Sequence, residues 1–201
     1  MPLTQQDAPE ETKQALLAGI GDYLSPADPL REELAREKQG LKVWVLALEA
    51  LSNGAGLSGA QQVGWGFLAG RPGVHAIAAQ ITTSGVDQKQ ELTAVAQGPE
   101  VALLIQSIHK VQDVVERQNG SYELEILRIP GILLEAFWLK ASEGPDLIVP
   151  FHTMSKELDS LRPYSVDEFI AVARSLADAF RRFDEFYPAQ ADLKDGSSAP
   201  S

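Results

Sequence analysis

Apolar positions along the chain follow a helical spacing first and a period of two later. Leu16, Ile20, Tyr23 and Leu24 make one stripe behind Asp7, an N-cap, and Glu10 three residues on; this predicts a first helix over about residues 8–19. Asp28-Pro29 reads as a second N-cap with proline at the first helical position, and Leu30, Leu34, Leu41, Val45 and Leu48 continue at helical spacing. From Val43 onward Trp44, Leu46 and Ala47 make the other face apolar too, as in a buried helix. Gly40 weakens the middle of this helix and can split it, and Ser52-Asn53-Gly54 ends it.

Beyond the glycine-rich stretch 53–73 the period changes. Val63–Ala69, with Trp65 and Phe67 on one face, 74–82 and Gln90–Ala96 predict three strands joined by turns at Arg71-Pro72-Gly73 and Ser84-Gly85-Val86-Asp87. Gly98-Pro99-Glu100 opens a helix along Val101, Leu104, Ile105, Ile108, Val111 and Val115, closed by Asn119-Gly120. The pattern then recurs. Tyr122–Ile129, Ile132–Lys140 and Asp146–Phe151 read as strands, with Pro130-Gly131 at the centre of a type II turn. A polar crossing over 152–163 leads to a helix that opens on a capping box, Ser165 and Glu168, and stops at Pro188. Its apolar face is Phe169, Ile170, Ala173, Leu176, Ala177, Phe180 and Phe183.

The order α-α, βββα, βββα predicts an α+β protein. Its expected core is a six-stranded antiparallel sheet of two β-meanders, each followed by a helix, with the N-terminal helices packed on it and the helices on one face. The Pro-Gly corner in each meander leaves an internal duplication open. Residues 1–6 read as a flexible N-terminus, 7–188 as a single domain and 189–201 as a disordered tail.

Composition narrows the partners. A chain of 201 residues, 44% hydrophobic, can bury a core without staples, and with no cysteine it has no disulfide, thiolate nucleophile or cysteine metal site. The net charge is -11, and the only adjacent basic pair, Arg181-Arg182, is surrounded by Asp178, Asp184 and Glu185. Nucleic acid and anionic membranes are therefore not expected partners. The most apolar run, Val43–Leu48, is far too short to span a bilayer, and residues 1–11 are polar and acidic, unlike a secretory leader. The expected location is cytoplasmic.

There is no phosphate-loop, HExxH, EF-hand or GxSxG motif. Gly54, Gly56 and Gly59 have dinucleotide-loop spacing, but they follow a helix where that fingerprint needs a strand, so they read as loop. His109 and Asp113 share a helix face at i, i+4 with solvated neighbours, and His75 lies in a strand; no metal site and no cofactor are expected. Two positions stand out. Glu135 interrupts the run Ile132–Leu139, which reads as a covered central strand, and a buried carboxylate must be paired or shifted. Arg128, across the Pro-Gly turn, is the obvious ion-pair partner if the strand register brings the two together. His152 sits where a strand hands over to a loop that also holds Arg162 and Tyr164, with Asp146 at the strand's other end. Glu135 and His152 are thus the candidate acid-base residues, and Arg128, Trp65, Arg162 and Tyr164 the candidate binding residues. Trp65, Phe67 and Trp138 line either a groove or the core.

The element order and acidity resemble small α+β proteins that bind other proteins, such as secretion chaperones and toxin-immunity proteins. That likeness implies a fold and a charge and carries no site residue. The expected function is non-catalytic protein binding, with a protein partner or a second copy in a homodimer. The alternative is a small-molecule binder or enzyme with its site between sheet and helices.

Overall fold

The computed structural model describes residues 3–70, 76–85, 87–117 and 120–186. Two short strands, β1 (Leu3–Thr4) and β2 (Gln6–Asp7), precede α1 (Glu10–Tyr23) and α2 (Pro29–Arg36). Then come β3 (Gln39–Val45), α3 (Leu48–Ser52), β4 (Gln61–Gly70), β5 (Ala76–Ser84), β6 (Lys89–Gln97) and α4 (Pro99–Arg117). The chain continues as β7 (Tyr122–Ile129), β8 (Leu134–Ala141), β9 (Leu147–His152), β10 (Tyr164–Ser165) and α5 (Val166–Phe186).

The strands form one ten-stranded mixed sheet in the order β10-β9-β8-β7-β3-β4-β5-β6, with β1 beside β7 and β2 beside β3. The pairs β3·β7 and β1·β7 are parallel. The expected six-stranded, wholly antiparallel sheet is therefore corrected: three short strands, β1, β2 and β10, join it, and one longer segment changes its centre. Residues 39–45, read as part of the second helix, are the central strand β3. Leu41 and Val43 face one way and Lys42 and Trp44 the other. A strand covered on both faces shows a near-continuous apolar run instead of an alternation, and Leu34, Leu41 and Leu48 imitate a helical repeat.

With β3 in place, two units of four strands and a helix meet at the parallel pair, Val43 opposite Ile126 and Trp44 opposite Leu127. Parallel neighbours relate the units by a half turn about an axis along the strands, which sends the trailing helices to opposite faces. Val111 and Val115 of α4 pack on Leu41, Val43, Leu124, Ile126 and Phe137. On the opposite face α5 packs Phe169, Ile170 and Ala173 against Leu127, Ala136, Trp138 and Ile148. There α1 and α2 cover Trp65, Phe67, Ile77 and Ile81. Helices thus lie on both faces, not one.

Local expectations differ in instructive ways. The first helix begins at Glu10 behind Pro9 without a side-chain cap, because Asp7 is taken by β2. Pro130–Ile132 forms a 3-10 turn in place of a type II turn, and Leu133, at φ 49°, takes the left-handed position expected of Gly131. The capping box holds: Glu168 N donates to Ser165 Oγ, and Ser165 N and Oγ donate to Glu168 Oε2. These bonds hold the Glu168 carboxyl below its ordinary value. The Pro72-Gly73 corner, His75, Val86, Asn119 and the tail from residue 187 lie outside the described residues.

Candidate functional site

Arg128 is the penultimate residue of β7 and Glu135 is second in β8, so the short turn makes them direct cross-strand partners. Arg128 Nε lies 2.7 Å from Glu135 Oε1. That nitrogen has no hydrogen bond of good geometry, so the contact is chiefly Coulombic. Arg128 Nη1 donates to Gln80 Oε1 at 2.6 Å. His152 closes β9 as the partner of Glu135 on its other side. Three residues singled out from sequence therefore stand in one row across β7, β8 and β9.

All three line a cleft of about 670 Å³ beside the N-terminal half of α4. Its other walls are mostly apolar, Val101, Leu103 and Leu104 from α4 and Leu133, Leu134 and Phe151 from the strand ends, with Glu100 and Ser107 of α4 the polar exceptions. Leu103 and Leu133 are 60% and 57% exposed. Glu135 is not the buried carboxylate its neighbours implied. Its side chain is 34% exposed, because at this end of β8 the cleft lies over it instead of a helix. His152 is exposed, and no side-chain hydrogen bond joins it to Glu135. The carboxylate is engaged by Arg128, so the row is an ion pair beside a free imidazole.

The remaining candidates lie elsewhere. Trp65 is core beneath α1 and α2. Arg162 sits near β10, 3.3 Å from Asp159 and over the Tyr164 ring at 4.9 Å. The Tyr164 hydroxyl accepts from Asp159 N. Asp146 pins the β8–β9 turn by accepting from Trp138 Nε1 and Ala141 N, both at 2.9 Å. His109 and Asp113 are exposed on α4, and no cluster of three potential metal ligands occurs among the described residues.

A second constellation lies on the opposite face, between the cores under α5 and under α1 and α2. Glu125 is fully buried there. Lys42 Nζ is 3.0 Å from Glu123 and 3.3 Å from Glu125, and Lys140 Nζ is 2.9 Å from Glu125. Lys140 Nζ also lies 4.2 Å from the Trp44 ring centre and 4.3 Å from that of Trp138. Burial pushes the Glu125 carboxyl up from its ordinary value against the pull of both lysines. Burial acts the same way on Glu123, but contact with Lys42 outweighs it and holds that carboxyl down. The signal was available in part: Glu123 and Glu125 alternate in an apolar strand, and Lys140 ends another. Lys42 was hidden by the helical reading of its segment.

A group whose folded pKa is raised stabilises the fold fully below its unfolded value, and that contribution is lost as pH rises through the folded value. Glu125 should therefore add a stability term at pH 4 that fades as pH rises above the ordinary carboxylate range, absent in Glu125→Gln. Urea unfolding from acid to neutral pH checks it; parallel profiles for the two proteins would remove the assignment.

No family model, curated protein or solved structure matches this chain. No helix among the described residues is long and apolar enough to cross a membrane. What fold and site define together is an α+β protein with a ten-stranded mixed sheet, helices on both faces and an open cleft beside α4.

Proposed function

We propose that the protein is a non-catalytic binding module that takes a segment of another protein in the cleft beside α4. The observation that carries this reading is the pair of exposed leucines: Leu103 on the helix side and Leu133 on the strand side. With a little over half of each residue exposed, covering the two would contribute roughly 1–2 kcal/mol apiece, enough together to anchor a segment. Arg128, Glu135 and His152 at the end of the cleft add the few polar groups that orient a bound chain. The enzymatic alternative has less support, because Glu135 is held by Arg128 and makes no side-chain hydrogen bond to His152.

Selection from a random peptide library on the intact protein tests this. Enriched peptides should carry apolar anchors and lose at least about tenfold in affinity, some 1.4 kcal/mol, when Leu103→Asp and Leu133→Asp are combined. Both positions are exposed, so the variant keeps its fold. Equal binding by the variant, or no enrichment over an unrelated acidic protein, would sink the reading. Light scattering on the same pair shows whether a second copy of the chain is the occupant.

A further inference from the structure

At one end of the charged cluster the Lys140 ammonium sits between two tryptophan rings and a carboxylate. Trp44 of β3 and Trp138 of β8 stand 5.6 Å apart with their rings tilted at 60°. The Lys140 nitrogen lies at 4.2 and 4.3 Å from the two centres, well inside the range where an aromatic face attracts a cation. Glu125 supplies the anionic wall at 2.9 Å. Trp138 is fixed without help from Lys140, by its Nε1–H donating to Asp146. Trp44 is set in a central strand paired on both sides. Trp138 is thus held without the lysine, and the backbone of Trp44 is held by its strand neighbours.

Two features bear on what could enter. The Lys140 side chain is 30% exposed while Trp138 is 8% exposed and Glu125 fully buried, so the way into the cage is the path the lysine occupies. The cluster is also charge-balanced, with Lys42 and Lys140 against Glu123 and Glu125. Exchange of Lys140 for another single cation keeps that balance, whereas entry of a neutral or anionic group in its place leaves the buried Glu125 with less compensation. A lysine ammonium is strongly hydrated and is well accommodated by water when it swings out. A methylated ammonium is the cation that aromatic cages take up best.

We propose that Trp44, Trp138 and Glu125 form a binding site for a methylated ammonium group, with Lys140 as the internal cation that fills it in the free protein. The group can belong to a small quaternary amine or to a methylated lysine side chain; the chemistry recognised is the same.

The test titrates tetramethylammonium chloride into the full chain against matched sodium chloride, reading tryptophan emission and the thermal midpoint. Wild type should bind saturably. Lys140→Ala should bind at least about tenfold tighter and regain thermal stability on binding, and Trp44→Leu combined with Lys140→Ala should not bind. A trimethyllysine peptide that binds more tightly than the free amine identifies a protein source; equal affinities identify a free amine. A wild-type response no different from sodium chloride overturns the proposal, even if Lys140→Ala binds, because Lys140 would then be a permanent part of the core. Should Lys140→Ala not fold, the wild-type titration decides alone.

Discussion

Replacing Lys140 by methionine is expected to cost about 3 kcal/mol of stability at pH 7, the lower end of the range for removing one partner of a buried ion pair. Methionine keeps most of the aliphatic stem, so the loss is chiefly that of the charge. Glu125 has no exposed surface to fall back on. Two things keep the loss from being larger. Lys42 remains 3.3 Å away, and the Glu125 carboxyl, already pushed up by burial, can take a proton instead of staying charged and uncompensated. The same logic makes Glu125→Leu with Lys140→Met milder than Lys140→Met alone, because the pair leaves together. Urea unfolding of the two single variants and the double variant gives the coupling directly. Strict additivity of the two losses would show that Glu125 and Lys140 do not interact.

This cluster also marks where the sequence was legible and where it was not. Amphipathic elements declared themselves: α4 and α5 each bury one stripe, and the Ser165–Glu168 box fixes the start of α5. The Arg128–Glu135 pairing was legible only as a possibility that depended on register, and the register of β7 on β8 brings it about. What failed was β3. An element wrapped on both sides by other strands and covered above and below has no polar face, so neither period can show in its residues. From that one segment follow the errors in the direction of the central pairing and in which faces carry helices; the strand number was also short by the two-residue strands β1, β2 and β10. The misread β3 also concealed Lys42 and Trp44, and with them the cage. The cleft was legible only in its polar members. Leu103 and Leu133 look like ordinary core positions in sequence, and only the tertiary arrangement leaves them in water.

Alanine at Gly64 is expected to cost about 4 kcal/mol or more, above the 1–3 typical of overpacking, whereas alanine at Gly66 should stay within about 1 kcal/mol. Both glycines lie in β4 on the face that α4 covers, two residues apart, yet their surroundings differ. A Cβ at Gly66 would meet the Ile126 and Val43 side chains at 3.7 Å and the Leu41 carbonyl oxygen at 3.8 Å, all ordinary contacts. A Cβ at Gly64 would fall 1.9 Å from the Ile81 carbonyl oxygen and 3.0 Å from Thr82 Cα. Backbone cannot swing aside as a side-chain tip does. The crowding has a local origin. The β3–β4 register shifts between Val43 and Trp44, and the β5–β6 register shifts between Gln80 and Ile81, so bulges on both sides bend the sheet at this point. Relief would require β5 to move away from β4. That motion carries Gln80 with it and removes the acceptor that holds Arg128 in the cleft. For a chain of this size each kcal/mol shifts the thermal midpoint by roughly 2–4 °C. Gly64→Ala should therefore melt about 8 °C or more below wild type and Gly66→Ala within a few degrees of it. Equal midpoints for the two variants would mean that β5 does not approach β4 as closely as the register places it.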